Sequence, residues 1–206
     1  MREYNILLAG VGGQGILLAA EALGTAASNE GFNVRVSEIH GMAQRGGAVT
    51  SAVRIGEDVR APTMLEGRAD VILGFEPLET LRNLHYCSDR TIVIMSTTQV
   101  PPTELAAKGA KYPSIDVVAE KIRRFTGRLV IVEADQIAQK AGSRQAQNSA
   151  LLGVLASVAD LPMKTDGLIQ ALRELVPQKH VDVNMRAFRL GLDEGRRCRG
   201  GRCSTP

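Results

Sequence analysis

The chain has 206 residues, of which 44% are hydrophobic and 23% charged, with a formal net charge of +3. Those values fit one soluble globular domain with a real core and argue against a disordered chain or a broad basic nucleic-acid surface. Aromatic residues make up 3% and Trp is absent, which excludes a base-stacking platform or an aromatic cage.

Ile6-Leu7-Leu8-Ala9 reads as the centre of a first strand beginning at Tyr4. Gly10-Val11-Gly12-Gly13-Gln14-Gly15 then makes a turn too tight for side chains, and a helix is predicted from Gly15 to about Asn29. Glycines, Gln14 and Glu21 interrupt the apolar stretch Ile6 to Ala27, so it is not read as a membrane span, and Met1-Arg2-Glu3 lacks the layout of a signal peptide. Gly31 ends the helix and Asn33 to Glu38 forms the next strand, which completes a βαβ unit. His40-Gly41-Met42-Ala43-Gln44-Arg45-Gly46-Gly47 is a polar, glycine-rich loop. Ala48 to Ile55 alternates as a half-exposed strand, with Val49, Val53 and Ile55 on one face and Thr50 and Arg54 on the other.

Further strands are predicted at Ala69 to Phe75, Arg90 to Met95 and Leu129 to Glu133. Pro77 suits the first turn of a helix to about Leu84, Ile115 to Arg124 has helical periodicity, and Asp135 is placed as a helix cap. Asn148 to Ala159, Asp166 to Val176 and Val181 to Leu192 also read as helices, the last with a stripe of Val183, Ala187 and Leu190. The fold class is α/β: a single three-layer α/β/α domain with a Rossmann-like, mostly parallel sheet and a helix-rich C-terminal third. The domain spans 1–195, and 196–206 is expected to be a basic, disordered tail.

In such a sheet, ligands meet the loops at the carboxyl ends of the strands. Gly10 to Gly15, His40 to Gly47, Phe75-Glu76-Pro77 and Ser96 to Val100 are therefore expected on one rim. Exposed amides at the start of a helix suit an anionic group, and His40 and Arg45, beside Gly46-Gly47, would add an imidazole and a guanidinium. Gly10-x-Gly12-x-x-Gly15 also satisfies the dinucleotide fingerprint, with Glu38 near the position of a ribose-binding acid, so a stand-alone NAD(P)- or nucleotide-binding protein is the alternative. Against it, Glu38 runs straight into His40-Gly41 with no second crossover helix. There is no GxSxG, and His40, His85 and His180 are too scattered to argue a metal site. Cys87, Cys198 and Cys203 are expected to be three thiols in a reducing cytoplasm, without the cysteine run that an iron–sulfur cluster needs.

The glycine turn, followed by Glu38-Ile39-His40-Gly41-Met42-Ala43-Gln44-Arg45-Gly46-Gly47-Ala48-Val49 and Arg54-Ile55-Gly56, resembles the gamma domain of the 2-oxoacid:ferredoxin oxidoreductases. The run Gly-Met-Ala-Gln-Arg-Gly-Gly is most similar to the beta subunits of the indolepyruvate branch. The likeness continues through Gly67-x-Ala69-Asp70, Gly74-Phe75-Glu76-Pro77, Asn148-x-x-Leu151-Leu152-Gly153 and Asn184-x-x-Ala187-Phe188-x-x-Gly191. The resemblance implies a subunit, inactive alone, that completes an active site for coenzyme A-dependent oxidative decarboxylation of a 2-oxoacid. Thiamine diphosphate, Mg and 4Fe-4S clusters would sit on partner chains, with ferredoxin as electron acceptor. Carried over as rim residues are Gly12, Gly13, Gln14, Gly15, His40, Gln44, Arg45, Gly46 and Gly47, with His40, Gln44 and Arg45 as the catalytic candidates and the glycines, Gly10 included, with Gln14 as contacts to coenzyme A phosphates or the substrate. A rim shaped for a partner would also let the isolated chain self-associate as a homodimer.

Overall fold

Among the described residues, apolar runs broken by glycine and proline become six strands: β1 (Tyr4–Val11), β2 (Asn33–His40), β3 (Ala48–Gly56), β4 (Val71–Gly74), β5 (Ile92–Ser96) and β6 (Arg128–Val132). The structure, a computed structural model, describes residues 3–41, 46–101 and 111–199. The strands lie in the order β2-β3-β1-β4-β5-β6. β1, β4, β5 and β6 pair in parallel, while β3 pairs antiparallel with both β1 and β2. The sheet is thus mostly parallel, as expected, with β3 reversed.

β1, the first helix and β2 still form the expected βαβ unit, since β1 and β2 both run antiparallel to β3 and so parallel to each other, but β3 is inserted between the two strands. Residues 41–47 are too few for a crossover, so the chain doubles back from β2 into β3. β3 then occupies the place beside β1.

The helices are α1 (Ile16–Asn29), α2 (Pro77–Arg82), α3 (Ile115–Arg123), α4 (Ala134–Ala141), α5 (Gln147–Val158), α6 (Thr165–Leu175) and α7 (Val181–Arg199). The period-two alternation of the strands sends Ile6 and Leu8 to one side of the sheet and Leu7 to the other. On the larger side Ile6, Leu8, Val53, Leu73 and Ile94 pack with Leu23 of α1, Leu151 and Leu155 of α5, Leu172 of α6 and Phe188 of α7. On the smaller side Leu7, Ile72, Val93 and Met95 meet Leu84 and the α3 residues Val118 and Ile122. These are the three predicted layers.

α5 and α7 touch at the backbone. A Cβ at Gly191 would lie 2.0 Å from the Ala150 oxygen, and one at Gly153 would lie 2.1 Å from the Phe188 oxygen. The buried face of α7 is accordingly Asn184, Ala187, Phe188, Gly191 and Gly195, whereas Leu190 is 37% exposed. The expected stripe of Val183, Ala187 and Leu190 is therefore corrected by about a quarter turn, because the glycines and not the leucine face the contact. The expected tail also begins too early. α7 runs on through Arg199, Gly195 fits against Val154 and Ser157, and Arg199 bonds to Asp160 at 2.5 Å. Asp135 lies inside the first turn of α4, with Glu133 in the cap position instead. Among the described cysteines, Cys87 is free whereas Cys198 is disulfide-bonded, which departs from the expectation of three thiols.

Candidate functional site

β1, β2, β4 and β5 all end on the same rim, and the turn after β1 is its centre. Gly13 and Gly15 have φ of 99° and 75°, in the left-handed region, where a Cβ is disfavoured. Gly15 is the N-cap residue of α1 and supplies no side-chain cap. The amides of Gly13, Gly15, Ile16, Leu17 and Leu18 consequently have no acceptor among the described residues.

The second glycine bend reaches this turn. The Gly12 N–H donates to the Gly47 oxygen at 2.9 Å, which extends the β1–β3 ladder one step past the strand ends. A cavity of about 810 Å³ opens there, lined by Gly12, Gly13, Gly15, His40 and Gly41 on its polar side and by Val11, Ile16, Leu17, Leu18 and Val49 on its apolar side. Its floor is donor-rich backbone at the positive end of a helix, which suits a phosphate or carboxylate, and its walls suit an apolar stem.

The residues expected at the rim divide into those that face the cavity and those that build it. Gly12, Gly13, Gly15 and His40 line it. Gln14 does not. It is 5% exposed, its Oε1 accepts from the Val11 N–H at 2.9 Å and its Nε2 donates to the Phe75 oxygen at 3.0 Å. The expectation that Gln14 faces a ligand is corrected: the side chain folds back beneath the turn because the β1 and β4 ends leave two backbone groups there to satisfy. Gly10 is glycine for the same reason, since a Cβ would come within 2.5 Å of Gln14 Oε1 and 2.7 Å of Phe75 Cβ. Gly46 and Gly47 flank the cavity without lining it, and Gly46 has open space around it at a φ of 70°. Met42, Ala43, Gln44 and Arg45 lie outside the described residues. His40 is exposed, with Nε2 3.4 Å from Glu38 Oε2.

Two contributors escaped the sequence reading. Asn148, buried at the start of α5, donates from Nδ2 to the Gly15 oxygen at 3.4 Å and presses so closely that a Cβ on Gly15 would lie 2.5 Å from that nitrogen. The Ser149 hydroxyl bonds to Asn184 at 2.6 Å, and Asn184 holds the His180 oxygen at 2.8 Å, so a polar chain runs from α7 toward the turn. The other is Tyr112, whose hydroxyl donates to buried Glu76. Burial, reinforced by that bond, raises the Tyr112 pKa. Glu76 also caps α2 by accepting from the Glu79 N–H at 2.9 Å, and burial raises the Glu79 carboxyl despite the Arg82 guanidinium beside it. The Gly74-Phe75-Glu76-Pro77 part of the rim is therefore a brace. The signal for Asn148 was its appearance in a spaced motif; for Tyr112 there was none.

Among the described residues no helix is long and apolar enough to cross a membrane, and no group of three His, Cys, Asp or Glu residues is placed to hold a metal ion. Residues 5–194 match the family described as pyruvate ferredoxin/flavodoxin oxidoreductase. The chain is 42% identical to the indolepyruvate oxidoreductase subunit IorB of Thermococcus kodakarensis over 193 residues, 93% of this chain and 96% of that one. Among solved structures, the gamma subunit of the keto/oxoacid ferredoxin oxidoreductase of Geobacter sulfurreducens superposes with a TM-score of 0.68 at 20% identity, covering 93% of this chain and 98% of that one. The 2-oxoglutarate:ferredoxin oxidoreductase of Magnetococcus marinus, solved with 2-oxoglutarate, coenzyme A and succinyl-CoA bound, gives 0.73 at 18% identity, covering 95% of this chain and 31% of that one. At those identities the structures speak for the fold alone. The match along nearly the whole sequence speaks for descent, and this chain belongs to the pyruvate ferredoxin/flavodoxin oxidoreductase family.

Proposed function

We propose that this chain is a subunit of a 2-oxoacid:ferredoxin oxidoreductase, of the indolepyruvate type, inactive until a partner chain covers its glycine rim. The carrying observation is the meeting of the two glycine bends over an uncapped helix end, with a cavity between them. Its backbone amides would hold a phosphate of coenzyme A, and the apolar wall of Ile16, Leu17, Leu18 and Val49 would take the uncharged stem of that molecule. His40 stands at the cavity wall as an imidazole donor, and Gln44 and Arg45 follow it in sequence as further candidates for the same anion.

The redox groups belong to other chains under this reading. A 4Fe-4S cluster needs a set of thiolates, whereas burial pushes the Cys87 thiol up to about 11. The residues described here also offer no acidic cluster for a metal-bound diphosphate. Thiamine diphosphate, Mg, the clusters and the approach of ferredoxin are therefore assigned to partner subunits, in a cytoplasmic complex. Thiamine diphosphate supplies the carbanion chemistry there; this chain binds, orients and shields.

The purified chain is expected to show no turnover with a 2-oxoacid, coenzyme A and an electron acceptor. Adding the thiamine-binding subunit restores it. Turnover by the isolated chain would refute the subunit reading, and tight NADH binding by the isolated chain would revive the nucleotide-binding alternative.

A further inference from the structure

β2 is the outermost strand on its side of the sheet, and its register decides which backbone groups face outward. Gly41 N–H donates to the Ala48 oxygen at 2.7 Å, and the β2–β3 pairing runs back from there without a slip. In an antiparallel ladder, bonded and non-bonded positions alternate, so Asn33, Arg35, Ser37 and Ile39 bond to β3. Val34, Val36, Glu38 and His40 turn their N–H and C=O groups away from the sheet. The Val34 oxygen is taken by its neighbour, since the Arg35 guanidinium donates to it at 2.8 Å. From Val36 to His40 these outward groups have no backbone partner among the described residues.

Exposed edges are normally blunted by charged side chains, lysine above all, by proline or by a bulge. Asn33-Val34-Arg35-Val36-Ser37-Glu38-Ile39-His40 has no proline or lysine and its unbroken register has no bulge; its charges are Arg35, which covers only the Val34 oxygen, and Glu38. Val36 is 39% exposed and Ile39 64%. The stretch from Val36 also ends at His40, on the wall of the cavity.

We infer that Val36 to His40 is the docking edge for an extended segment of the partner subunit, which adds to the sheet as a further strand and ends beside the cavity. This rests on the subunit reading above. A second copy of this chain is a poor occupant. A two-fold axis that continues the sheet pairs residues of one face only, so Arg35 never opposes Glu38 and Val36 never opposes Ile39. A centre at Val36 or Ser37 sets Glu38 against Val34 or Val36, and a centre at Glu38 sets two carboxylates together. A centre at Ile39 overlaps only Glu38 to His40. A partner segment with an apolar residue opposite Val36 and a basic one opposite Glu38 meets none of these conflicts.

The test is residue-resolved amide hydrogen exchange on the isolated chain and on the assembled complex. The Val36, Glu38 and His40 amides are expected to exchange freely in the isolated chain and to slow by about tenfold or more on assembly, while Arg35, Ser37 and Ile39, already bonded to β3, change little. Unchanged exchange at Val36, Glu38 and His40 in an assembled, active complex overturns the inference and leaves the subunit reading standing. Slow exchange in an isolated chain that is dimeric overturns it in favour of self-pairing. A chain that assembles with no thiamine-binding subunit defeats both. In a second measurement, Val36→Pro removes an outward N–H without touching the β3 ladder, so it should keep the circular-dichroism spectrum and weaken assembly about tenfold or more; undiminished assembly overturns the inference as well.

Discussion

Replacing Gln14 separates a residue that builds the glycine turn from one that faces a ligand. Its amide makes two bonds inside the protein, 2.9 Å from the Val11 N–H and 3.0 Å to the Phe75 oxygen. Gln14→Ala leaves both backbone groups buried without partners, at about 1–3 kcal/mol each, with partial relief if water enters. A loss of roughly 3 kcal/mol follows, a large share of the roughly 5–15 kcal/mol typical of a domain. With a urea slope of about 2–3 kcal/mol/M, the midpoint should fall by roughly 1–1.5 M. Gln14→Glu gives a sharper readout. The carboxylate still accepts from Val11 but faces the Phe75 oxygen without a proton, so the folded state holds that proton more tightly and the folded pKa lies above the unfolded value of about 4.3. A raised folded pKa means that the penalty is absent below the unfolded pKa and grows as pH rises through the folded one. Gln14→Glu should therefore be unstable at pH 7 and recover toward wild type near pH 4, measured by urea titration at both values. Midpoints within about 0.2 M of wild type at pH 7 for both variants would show that Gln14 faces outward, and the division between lining and bracing residues would fall with it.

Gly191→Ala forces a methyl group to within 2.0 Å of the Ala150 oxygen, so α5 and α7 must separate, and a loss of about 3 kcal/mol or more in chemical unfolding is expected. Arg45→Ala should leave assembly intact and lower turnover of the complex; a complex with wild-type kinetics would make the loop a spacer. The Cys87 thiol, raised by burial from 9.0 to about 11, should hold about 100-fold less thiolate at pH 8 and alkylate correspondingly slowly, read by mass spectrometry.

The sequence exposed the strands because each is a short apolar run closed by glycine, proline or a charge, and it exposed the glycine turn because nothing else needs so many glycines together. It concealed direction. Ala48 to Ile55 alternates identically whether it runs with or against its neighbours, and only the short connection from His40 hinted that it turns back. It also concealed which glycines serve packing. Gly10 and Gly13 look equivalent in the string, yet the space beside Gly10 is filled by Gln14 and Phe75 and that beside Gly13 is open. Asn148 reaches Gly15 across 133 positions of chain, a contact that no local pattern encodes.

The placement of β3 bears directly on the dinucleotide alternative. A dinucleotide site needs the strand carrying the acidic residue next to the strand that enters the glycine turn, so that the ribose lies one strand away from the phosphates. Here β3 lies between β1 and β2, which sets Glu38 two strand spacings, or roughly 9.6 Å, from β1. Glu38 is also near His40, 3.4 Å from its Nε2. The glycine spacing thus survives while the geometry that gives it a nucleotide meaning does not. Under the proposed function, what remains is an anion cradle beside a sheet edge, whose remaining walls another chain would supply. That arrangement accounts for a glycine fingerprint, an uncapped helix and a strand edge without a backbone partner among the described residues at one corner of the fold, where an autonomous nucleotide-binding enzyme would require only the first two.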